Sequence, residues 1–172
     1  VVLKPSEQQK EIVASLSQRA EKVRNKQVDS NEDNMLVITN DGRKLALDQR
    51  LINPMLPDSD TGKVAVCAEN VYNIWERTAA QKSTQMVFVD LSTPHNDGQF
   101  NVYDDLKKKL LDKGIPESEI AYIHNAKTEA AKKELFGKVR SGEVRILIGS
   151  TQKMGAGTNA QQKLIALHHM DC

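Results

Sequence analysis

Residues 144–159 read Val144-Arg-Ile-Leu-Ile-Gly-Ser-Thr-Gln-Lys-Met-Gly-Ala-Gly-Thr-Asn159. A short apolar run closed by Gly149-Ser150-Thr151 predicts a buried β-strand. The polar stretch behind it carries Gly155 and Gly157 and then Asn159, and predicts a loop. Open α/β sheets build ligand sites at the carboxyl ends of their strands, where loops can offer hydroxyls, backbone amides and flexible glycines. This loop follows two earlier strand–helix units. That late position carries more meaning than the glycines themselves.

Working outward, Met86-Val-Phe-Val89 reads as a strand ending at Asp90. Phe100, Tyr103, Leu106 and Leu110 mark a helix that stops near Gly114 and Pro116. Ile120 to Ile123 reads as a second strand. Ala131, Leu135 and Val139 mark a further helix, with Gly142 as its C-terminal stop. Val144 to Ile148 and Leu164 to Leu167 supply two more strands. Strands alternating with helices predict an α/β fold with right-handed crossovers and a parallel sheet.

The first 60 residues follow another pattern. Ser6 and Gln9 have capping-box spacing, and Ile12, Leu16, Ala20 and Val23 recur at helical period, so a helix is expected from about Ser6 to Asn25. Gln27 to Asn34 is polar and loop-like. Met35 to Thr39 reads as a short strand ending in the turn signal Asn40-Asp41-Gly42. Lys44 to Ile52 reads as a short helix ended by Pro54, and Pro57 to Asp60 as a linker. A long helix is then expected from Thr61 to Ala80, with Val64, Ala68, Val71 and Trp75 on one face.

Composition narrows the function classes. Hydrophobic residues make up 39%, enough for a core, but aromatics only 4%, so that core is mostly aliphatic. A net charge of +1 is below that of a strongly basic nucleic-acid clamp. It leaves room for local phosphate contacts, which need only a patch. Two distant cysteines, Cys67 and Cys172, make no disulfide framework. With no secretory signal visible and no apolar run long enough for a bilayer, they predict a reduced, cytoplasmic setting. The absence of an initial methionine, and an end straight after an apolar segment, predict a piece of a longer protein.

The order of these pieces resembles the second motor domain of superfamily 2 helicases, especially the Swi/Snf-type DNA translocases, over residues 61–172. Thr61-Gly-Lys63 and the helix behind it are similar to the start of that lobe, and Gln85 to Asp90 to its first strand. Tyr122-Ile-His-Asn125, Thr128 and Lys132 resemble the segment usually written as a His-Gly pair followed by a hydroxyl and a basic residue. Asn125 stands where glycine is usual. Ile146 to Thr151 with Gly155, Gly157 and Asn159 resembles the fifth helicase motif, with Gln152 in place of the usual arginine and Met154 in place of the first glycine. Leu164 to Asp171 resembles the strand that runs to the family's Asp-x-x-Trp. Asp48 to Pro54 and His168 to Cys172 resemble large helicase-methylase fusion proteins of phages, plasmids and mobile elements. Neither a Walker A sequence nor the arginine-rich sixth motif lies within the 172 residues.

The resemblance implies a RecA-like parallel sheet flanked by helices over 61–172, of the P-loop NTPase type, with residues 1–60 as an N-terminal accessory segment. It implies DNA as partner, with Thr151 hydrogen-bonded to a backbone phosphate and Gln152, Gly155, Asn125 and Thr128 beside the strand. Gly157 and Asn159 then lie at the ATP cleft, and ATP with Mg²⁺ is held mainly by an N-terminal RecA-like lobe of the same polypeptide. Phosphoryl transfer needs a phosphate cradle, Mg²⁺ and an arginine from across the cleft. No catalytic residue is therefore expected here, and the isolated chain is expected to lack ATPase activity.

Each of these residues also has a plainer reading. Thr151 can be a turn hydroxyl, Asn159 an Asx turn and Gly155 a source of positive φ. Asn125 and Thr128 can cap the helix that starts there. Lys127, Lys132, Lys133, Lys138 and Arg140 read as a solvated face, although they outnumber Glu129 and Glu134. Gly62-Lys63 lacks the upstream glycine and strand of a phosphate loop. His168 and His169 point to opposite faces of a strand and make no zinc pair. Two further classes stay open: a non-catalytic helicase-like module that binds DNA or protein, and a methyltransferase that uses Gly155-x-Gly157. The latter's cofactor loop usually follows the first strand of its sheet, not the third.

Overall fold

A computed structural model describes residues 3–95, 97–154 and 160–171. The chain divides into two compact units, residues 1–63 and 64–172.

The first unit is helical. Helix α1 spans Glu7–Arg24 and opens with the expected capping box: Ser6 Oγ accepts from the Gln9 amide at 3.1 Å, and Gln9 Oε1 accepts from the Ser6 amide at 2.9 Å. The strand expected at 35–39 and the helix expected from 44 are one helix, α2, Met35–Leu47. Asn34 starts it, its Oδ1 accepting from the amides of Leu36 and Val37 at 3.1 Å each. Arg19 on α1 then reaches both Asp33, at 2.7 and 2.9 Å, and Asp41, at 2.9 Å. These contacts hold Asn40-Asp41-Gly42 in helical form, and Gly42 lies 4.0 Å from the Leu16 side chain, measured from where a Cβ would sit. Packing and capping outweigh the local turn preference of these residues. Asn34→Ala is expected to lower this unit's stability by about 1 kcal/mol, the usual value of an N-cap. Urea unfolding followed by far-UV circular dichroism measures it.

The second unit is α/β. Helix α3 (Lys63–Arg77) precedes strand β1 (Thr84–Phe88), α4 (Val102–Asp112), β2 (Ile120–Tyr122), α5 (Glu129–Ser141), β3 (Ile146–Gly149), a single turn α6 (Thr151–Met154) and β4 (Leu164–His169). The helices carry the signals read from the sequence. Thr128 Oγ1 accepts from the Ala131 amide at 3.1 Å, and Gly142 ends α5 at φ 81°. The expected Thr61–Ala80 helix is trimmed to α3, and Ile123 leaves the expected second strand for a 3-10 turn, Ile123–Asn125.

All pairings in the four-stranded sheet are parallel, in the order β2-β3-β1-β4. Alternation along the strands sends two apolar sets to opposite faces. Met86, Phe88 and Leu147 join Phe136 and Val139 of α5 and Met154 of α6 in one core cluster. On the other face, the Gln85 side chain donates to Val71 O of α3 at 2.9 Å, and Tyr103 of α4 meets Tyr122 edge-on at 5.5 Å. The fold is therefore a parallel sheet flanked by helices, with a helical N-terminal region. Among the described residues, no helix is long and apolar enough to cross a membrane.

Candidate functional site

Strand order locates the site. From β1 the chain leaves through α4 on one face, and from β3 it leaves through α6 on the other. Adjacent strands whose connections part in this way open a crevice at their carboxyl ends. Phe88 and Gly149 are paired, so Asp90 and Thr151 emerge side by side. An open cleft of about 660 Å³ lies there, lined by Asp90, Thr93, His95, His124 and residues 150–153.

Thr151 is exposed at this rim and begins α6, where a loop was expected. Both of its donors go to one carboxylate: its amide to Asp90 Oδ1 at 2.7 Å and its hydroxyl to Asp90 Oδ2 at 2.8 Å. Asp171, just beyond β4, accepts from the amides of Asp90 and Leu91 at 2.7 and 2.6 Å. The ends of β4, β1 and β3 are thus tied in sequence. Gln152 and Lys153 follow Thr151 on the exposed side of α6, while Met154 turns into the core.

His124 forms another part of the wall. Its ring meets Tyr103 edge-on at 5.3 Å, and its buried Nδ1 has no hydrogen-bond partner among the described residues. Burial, then Lys153 and His95, hold the imidazole below the ordinary histidine range. The shift favours the uncharged ring at neutral pH. Tyr103 donates to Val89 O at 2.6 Å and fixes α4 under the same strand end.

The other expected site residues are divided. Thr128 caps α5, whereas Asn125 does not: it closes the 3-10 turn and is exposed, because the helix starts only after Thr128. Gly155, Gly157 and Asn159 lie outside the described residues. On α5, Lys132 pairs with Glu129 at 2.8 Å and Lys138 with Glu134 at 3.0 Å, as on a solvated face. His168 bonds Gln85 Oε1 at 2.9 Å, while His169 stacks on Phe88 at 4.6 Å, so the two point apart. Cys67 is buried in α3, and burial pushes its thiol up to about 12, which keeps it protonated and unreactive.

Sequence reading missed the part played by Asp90 and Asp171. The usable signal was an acidic residue two positions beyond the end of each of two strands. Comparison of the chain with family models, curated proteins and solved structures gives no match.

Proposed function

We propose that residues 64–172 are the second motor lobe of an ATP-dependent DNA translocase of the superfamily 2 type, gripping the nucleic-acid backbone at the β1–β3 crevice. The observation that carries this reading is the exposed run Thr151-Gln152-Lys153, presented at the carboxyl rim of a parallel sheet. A hydroxyl, an amide and an ammonium side by side suit a phosphate contacted without regard to base sequence. The open form of the cleft suits a long polymer better than an enclosed metabolite. In this reading ATP and Mg²⁺ are held mainly by a partner lobe of the same polypeptide, and this lobe completes the cleft when the two close.

Fluorescence anisotropy with a short labelled DNA duplex at low salt tests the proposal. The chain is expected to bind irrespective of sequence. Lys153→Ala is expected to weaken binding several-fold and to lower the slope of log K against log salt by about one. Absence of DNA binding both by the chain and by its Asp90→Asn variant, or binding indifferent to Lys153→Ala, overturns the reading.

A further inference from the structure

The carboxylate of Asp90 takes the hydroxyl proton that a backbone phosphate at this rim would need. Its two oxygens accept the amide and the hydroxyl of Thr151 at 2.7 and 2.8 Å. A carboxylate and a phosphate oxygen want the same donors and repel each other, so they cannot share Thr151. The Asp90 backbone is itself anchored, since its amide and that of Leu91 both donate to Asp171. The acid is therefore held in place opposite Thr151.

We infer that Asp90 is an internal competitor for the nucleic-acid phosphate, and so a determinant of how tightly this lobe grips DNA. The inference rests on the reading above and adds a regulating residue to the same site. In the competing state the Thr151 hydroxyl points its proton at Asp90 and offers solvent only its lone pairs. Binding then requires the carboxylate to be displaced, which spends part of the contact energy. A lobe built this way grips weakly and releases easily until some movement of the strand ends withdraws the acid.

Asp90→Asn separates this from a simple charge effect. The amide has the same shape, and its oxygen can still accept from the Thr151 amide. Its NH₂ would now donate to Thr151 Oγ, turning the hydroxyl proton outward, free for a phosphate. Asp90→Asn is expected to bind labelled duplex DNA roughly tenfold more tightly than the unaltered chain, the scale of one charge-assisted hydrogen bond. Thr151→Val keeps the branched shape and removes the hydroxyl. In that background the hydroxyl-dependent share of the gain should vanish, leaving only the smaller effect of one lost negative charge.

Anisotropy titrations of all four chains, each first shown folded by Trp75 fluorescence, decide the matter. A gain from Asp90→Asn that depends on Thr151 supports the competitor, including the case where only Asp90→Asn binds measurably. A gain of equal size with and without the hydroxyl, or no gain while the unaltered chain binds, overturns it and leaves the DNA reading standing. No binding by any of the four overturns the DNA reading itself, and the competitor with it.

Discussion

Arg145→Ala is expected to cost the second unit roughly 3–5 kcal/mol, the scale of a broken buried polar network. Arg145 is 3% exposed at the start of β3. Its Nε donates to Ser83 O at 3.0 Å, and its Nη2 to Trp75 O at 2.7 Å and Thr78 Oγ1 at 2.9 Å. The guanidinium lies over the Trp75 ring at 5.3 Å. Trp75 in turn donates from Nε1 to Glu119 Oε2 at 2.6 Å, and that oxygen is 4.0 Å from the guanidinium. One planar fork thus ties the end of α3, the lead into β1 and the start of β3. Its removal strips two carbonyls and a hydroxyl of their donor and leaves a side-chain-sized hole. Each loss is costly where water cannot enter. Arg145→Lys should recover only part, because an ammonium cannot match several fixed directions at once. Trp75 is the only tryptophan, so its fluorescence during urea unfolding reports this unit alone. A midpoint shift worth less than about 1 kcal/mol would show that the fork is not structural.

Arg145 also marks where sequence reading runs out. A charged residue inside an apolar run looks like an interruption, and the hydrogen-bond partners of its side chain lie 62 to 70 residues upstream. Local signals fared better. The capping box at Ser6, the cap at Thr128 and the left-handed stop at Gly142 are written in residues three or four apart, and all formed. The helix over 35–47 was misread because its decisive contact, Arg19 with Asp41, comes from another helix. The site was half legible for the same reason. A hydroxyl at a strand end is visible in Gly149-Ser150-Thr151. Its pairing with Asp90, 61 residues away, exists only because β1 and β3 are neighbours in the sheet. Sequence order would have placed β2 between them, and the spatial order β2-β3-β1-β4 does not.

Gly149→Ala should connect core packing to the rim. Gly149 ends β3, and its carbonyl accepts from the Val89 amide at 2.9 Å. A Cβ there would come within 2.4 Å of Ile123 Cγ2, 2.7 Å of Met154 Sδ and 2.8 Å of Met154 Cγ. Ile123 is stiff and fully buried, so Met154 has to yield. Met154 is itself 1% exposed and is the foot of α6. Moving it displaces Thr151, Gln152 and Lys153 together. Overpacking of this kind costs about 1–3 kcal/mol, and urea unfolding should show a loss in that range. On the DNA-binding reading proposed above, affinity should also change in the fraction that stays folded, without any charged or polar group having been changed. Met154→Ala alone opens a cavity and is destabilising in its own right. Combined with Gly149→Ala it makes room for the new methyl, so the double variant should lose clearly less than the two single losses added together. Strict additivity would mean that the methyl never meets Met154, and that the foot of α6 does not set the height of the rim.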